Sequence, residues 1–147
     1  MNMRSQFLKS FVLILITLPL IYLSSCKGDD AESDIIGTWV ISSILQSNCT
    51  DEANNGTTTP TCSDTDCVRI VFSAGNEYEI QTTSGGTLRR DSGTFSVDGG
   101  NIDLCEEDEG QLECDSFAIS VSGSQLVLTA TDNSTGCQVR TTYVRES

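Results

Sequence analysis

From Ile35 to the C-terminus, apolar residues recur at every second position in short runs, and turn-forming residues break those runs at regular intervals. Val68, Ile70 and Phe72 share one face of an extended segment. So do Ile102 and Leu104, then Phe117, Ile119 and Val121, then Leu126 and Leu128. No stretch sustains the 3.6-residue period of an amphipathic helix. The pattern predicts strands near 36–47, 67–73, 77–83, 87–97, 101–106, 113–121, 124–131 and 137–145.

The hairpins tie these strands together. A two-residue turn at Gly99-Gly100 sets Val97 opposite Ile102 and Phe95 opposite Leu104. A similar turn at Ser122-Gly123 sets Ile119 opposite Leu126 and Phe117 opposite Leu128. The strand pair between them then places Ile102 opposite Phe117, with Cys105 opposite Cys114 on the other face. Each register collects large apolar side chains on one side, as a buried sheet face requires. Eight such strands form an antiparallel meander. Closure into an up-and-down barrel removes its exposed edges.

Seven cysteines punctuate the chain. Six of them, Cys49, Cys62, Cys67, Cys105, Cys114 and Cys137, fall beside strand ends that share one end of the barrel, called here the far end. The near end is where the first strand begins. An even set in an exported protein predicts three disulfides. Cys105–Cys114 follows from the hairpin register. Cys49–Cys67 with Cys62–Cys137 is the preferred arrangement of the other four, and Cys49–Cys137 with Cys62–Cys67 is the alternative. Zinc bound by thiolates is disfavoured, because the chain has no histidine and no CxxC pair.

The seventh cysteine belongs to the N-terminal segment. Arg4 and Lys9 precede an apolar core from Phe11 to Leu23 that is interrupted by Pro19 and too short to span a membrane. Small residues then lead to Cys26. "LSSC" resembles the bacterial lipobox, Leu-Ser/Ala-Gly/Ala/Ser-Cys; a plain secretory signal is the competing interpretation. The resemblance implies a lipoprotein signal peptide over residues 1–25 and acylation of Cys26, by palmitate and related chains, as the membrane anchor. Residues 26–34, with Asp29, Asp30, Glu32 and Asp34, form an acidic tether too poor in apolar surface to order itself. This run resembles the export tether of some outer-membrane lipoproteins, which implies an outer-membrane location, leaning toward the outer face. Residues 35–147 are left as one domain.

Charge narrows the partners. Removing the signal leaves six basic and 21 acidic residues, a net charge of 6 − 21 = −15. Such a domain repels nucleic acid and anionic lipid. The acidic runs Glu106–Glu109 and Asp64/Asp66 lack the ligand spacing of calcium loops, and Arg89-Arg90 is expected to pair with surface acids. With no histidine, no free thiol and no facing carboxylate pair, the sequence offers no catalytic constellation. Neither an enzyme nor a cofactor is expected.

"GTW" at Gly37-Thr38-Trp39, opening the first strand, resembles the start of a lipocalin. "FSAGNEY", "SGTFSVDGGNI" and "FAISVSGSQLVLT" resemble the short bacterial lipocalin-like domain. The resemblance implies a barrel end plugged by Trp39, with Arg145 stacked on its indole (Arg140 being the weaker candidate), and a lid formed by residues 48–66. A monomer holding a small apolar ligand against Ile41, Phe72, Phe95 and Leu128 is the leading expectation. A filled, rigid barrel serving as a surface-interaction or envelope component is the alternative.

Overall fold

A computed structural model of the chain describes residues 34–147. The segment expected to be signal peptide (1–25) lies outside these residues, as does the expected tether (26–34) apart from Asp34, and with it Cys26. Nine strands follow one another: β1 (Gly37–Ser47), β2 (Gly56–Thr58), β3 (Cys67–Ser73), β4 (Glu77–Ser84), β5 (Thr87–Asp98), β6 (Asn101–Asp108), β7 (Gln111–Ser122), β8 (Gln125–Thr131) and β9 (Gln138–Arg145). From β3 to β9 each pairs antiparallel with the next, β1 pairs with β3, and β1 with β9 closes the ring. The result is a closed eight-stranded antiparallel barrel with β2 as an extra strand.

β2 is the departure within the segment expected to be a lid. Residues 48–66 are not an irregular loop throughout. They make a 3-10 turn at Glu52–Asn54, capped by the Asp51 carboxylate on the Ala53 N–H. β2 then pairs with Ile44–Gln46 of β1. β3 pairs with β1 only from Gly37 to Val40, so β2 occupies the edge that β3 leaves free.

Two registers match the hydrophobic pattern: β5–β6, with Val97↔Ile102 and Phe95↔Leu104, and β6–β7, with Ile102↔Phe117 and Cys105↔Cys114. The β7–β8 register is corrected. Ile119 faces Leu128 and Val121 faces Leu126, a slip of two from the expected pairs. The reason lies in the turn. Gly123 has φ +58° and is the first of the two loop residues, the place where a II′ turn needs positive φ, so the loop is Gly123-Ser124. A slip of two preserves the face, and the same side chains remain inside.

β1 carries a bulge at Ser42, between the Ile41↔Tyr143 and Ser43↔Thr142 pairs. The extra residue changes the parity of the strand. Ile44 pairs with Thr141, and Leu45 is turned outward and exposed. The core is densest in the near half, where Ile35, Trp39, Phe72, Phe95, Ile102 and Leu126 form one cluster. Phe72 and Phe95 meet edge to face with centroids 5.0 Å apart.

The disulfides are Cys49–Cys137, Cys62–Cys67 and Cys105–Cys114. The preferred arrangement of Cys49, Cys62, Cys67 and Cys137 is therefore replaced by its alternative. Closure explains the exchange. The seam pairs Ser47 with Gln138, so the next residues outward, Cys49 and Cys137, lie with Cα atoms 3.9 Å apart. Cys62 is left to its near neighbour Cys67.

Candidate functional site

The near end is sealed by a small, fully engaged constellation. Trp39 has no exposed surface, and its indole N–H donates to the Ile35 carbonyl at 2.7 Å. Trp39 and Arg145 are cross-strand partners, and the guanidinium carbon lies 4.2 Å from the indole centroid, a cation–π contact. The same guanidinium donates to the carbonyls of Ile36 at 2.7 Å and Asp34 at 2.6 Å. Gly37 is required beside it. Its φ is +139°, and a Cβ there would sit 2.6 Å from Arg145 Nη1. The glycine and the tryptophan of "GTW" thus serve one contact. Arg140 has no part in it: it pairs across with Leu45 and Thr129, well along the strand.

The far half is hollow. A cavity of about 210 Å³ is walled by Ile70, Ile80, Leu104, Phe117, Leu128 and Val139, with Ala130, Thr141 and Tyr143 completing it. Burial pushes the Tyr143 phenol above its ordinary pKa. Of the four side chains expected to line a ligand space, only Leu128 does so. Ile41, Phe72 and Phe95 are buried, but none of them lines this cavity. The alternation that places a side chain inside the barrel does not say at what height it sits.

Three of the wall residues, Ile80, Leu104 and Phe117, also line an adjoining space of about 470 Å³ together with Tyr78. Here the inner face of the β6–β7 hairpin changes character. Beyond Leu104 and Phe117 it presents Glu106, Glu113 and Asp115. Burial raises the pKa of the Tyr78 phenol, and the charges of Glu106, Asp115 and Asp91 raise it further. Asp132 completes the acidic lining from the β8–β9 loop. Ser134 donates to its carboxylate from both N–H and hydroxyl, at 2.8 and 2.6 Å, and Thr135 from its hydroxyl at 2.8 Å. Those donors hold its pKa down to about 2. A larger cleft of about 610 Å³ lies on the outer face, between Glu77, Glu79, Ser92, Glu107 and Leu112.

The remaining candidates are occupied structurally. Arg89 pairs with Asp91 at 3.0 Å and Arg90 with Glu79 at 2.9 Å. The Asp66 carboxylate accepts from the Gly85 N–H, joining the segment before β3 to the β4–β5 turn. Among the described residues no three His, Cys, Asp or Glu side chains converge to hold a metal ion, the 106–109 run and Asp64 included. Sequence reasoning missed the acidic half of the β6–β7 inner face. Its signal was available, since Glu106, Glu113 and Asp115 continue the alternation that places Leu104 and Phe117 inside.

No curated protein sequence matches the chain. The family model for the lipocalin-like domain matches residues 35–128, from the buried Ile35 to Leu128 in the wall of the well. With its sealed near end and its closed barrel of a ligand-binding type, the chain belongs to the lipocalin-like domain family.

Proposed function

We propose that this protein is a lipid-anchored component of the bacterial envelope, held at the outer membrane by an acylated Cys26, and that its barrel is a non-enzymatic binding module for a small apolar ligand. The apolar well in the far half carries this reading. Its largest apolar walls are isoleucine, leucine, valine and phenylalanine, and each methylene a ligand buries against them contributes ~0.8 kcal/mol. The chain enters the barrel at the near end, where Asp34 meets Arg145. An anchor upstream of Asp34 would leave the well facing away from the lipid surface.

Calorimetric titration with 1-octanol tests the binding function. Saturable heat is expected, and it should vanish in Ala130→Trp, which fills the well. An absence of heat in the parent protein, or undiminished heat in that variant, leaves the filled interaction barrel as the better account. The anchor is tested separately by fractionation. Cys26→Ala should move the protein out of the membrane pellet, and retention there would refute the anchor.

A further inference from the structure

The lining of the well is one-sided in charge. The two adjoining spaces share Ile80, Leu104 and Phe117, and four acidic residues stand around them: Asp132, half-buried, and Glu106, Glu113 and Asp115, exposed at the opening. Neither lysine nor arginine lines either of them. The basic residues of the barrel are committed elsewhere. Arg89, which pairs across with Thr82, is bound to Asp91; Arg90 is bound to Glu79; Arg69 is bound to Glu146; and Arg145 covers Trp39. Arg140 pairs with Leu45, whose side chain is exposed on the outer surface.

A ligand seated in this well meets apolar walls along its length and carboxylates where its head emerges. An anionic head would be brought next to like charges at the opening, which is unfavourable. A neutral head gains nothing from them, and a cation is attracted. Resting on the binding function proposed above, we infer that the ligand is a cationic amphiphile: a single apolar chain ending in an ammonium group. The apolar well and the acidic rim each supply one half of that description.

The test compares octylammonium, 1-octanol and octanoate, matched in chain length, by calorimetric titration of the disulfide-bonded domain at low ionic strength. Octylammonium should bind about tenfold more tightly than octanol, and octanoate weakest of the three. The preference should shrink on raising salt from 10 mM to 0.5 M, because charges at an opening are screened. Asp132→Asn keeps an oxygen to accept the Ser134 N–H, and a triple variant, Glu106→Gln with Glu113→Gln and Asp115→Asn, clears the β6–β7 side. At least one of these should bring the ammonium-to-alcohol ratio close to unity while octanol binding persists. Octanol bound as tightly as octylammonium, octanoate bound best, or a preference unchanged in both variants would overturn the cationic assignment and leave the apolar well standing. No binding of any of the three would overturn both.

Discussion

At the near end of the barrel, Trp39 has no exposed surface, its N–H is bonded, and a guanidinium covers its ring. At the far end, the same strands leave about 210 Å³ unfilled and line its opening with carboxylates. Residue size makes the difference. Trp39, Phe72, Phe95 and Ile102 fill the near half, whereas Val139, Ala130 and Thr141 stand at far-half positions and leave room. One end is built for stability. The other is crosslinked, with Cys49–Cys137 fastening the seam between β1 and β9.

The largest expected effect comes from that crosslink. Cys49–Cys137 spans 88 residues, and chain entropy assigns it ~4–5 kcal/mol, against ~2 kcal/mol for Cys62–Cys67 with its separation of 5. Urea unfolding of the two double-serine variants measures both. Equal losses would mean that the far end is not held by its seam. Next, Trp39→Ala should cost ~3–5 kcal/mol, while Leu128→Ala, beside space already empty, should fall near the lower end of the ~2–5 kcal/mol range for such truncations. A costlier Leu128→Ala would reverse the contrast between the ends.

Smaller effects sharpen the near end. Arg145→Ala should cost ~1–2 kcal/mol and shift the emission of the single tryptophan, since the guanidinium lies on its ring. Gly37→Ala should cost ~1–3 kcal/mol from backbone strain and the clash with Nη1. Because part of that cost is the clash, the two substitutions together should cost less than their sum. Strict additivity would separate the glycine from the arginine.

The smallest effect belongs to the far rim. Asp132 has its pKa lowered from 3.8 to about 2, so its bonds to Ser134 and Thr135 contribute fully above pH 4. That contribution is lost as pH falls through 2, because the unfolded chain takes up the proton first. Melting temperatures between pH 5 and pH 2 should fall less steeply in Asp132→Asn than in the parent.

Much of this was legible from alternation and turns. Gly99-Gly100 fixed the β5–β6 hairpin, and the Ile102↔Phe117 and Cys105↔Cys114 pairs expected of the next strand pair are also present. The Ile119↔Leu128 register did not, because a period of two cannot detect a slip of two. Only the backbone of Gly123 decides which residue opens that turn. The bulge at Ser42 left no mark in the sequence, so the outward turn of Leu45 could not be foreseen. The cysteine pairing depended on the seam, and its register lies between strands far apart in the chain. The plug residues came from the family resemblance; the position of the cavity was not legible, since height along a barrel depends on stagger between strands.

The seam also orders events in time. Arg145 donates to Ile36 across 109 positions of sequence, and β9 closes the ring on β1. Contacts so distant form slowly, because the intervening chain must first be brought to heel. Until β9 arrives, the ring is open, the indole lacks its cover, and Cys137 has not met Cys49. Tryptophan emission followed during oxidative refolding therefore reports ring closure, the moment the sheet becomes a barrel.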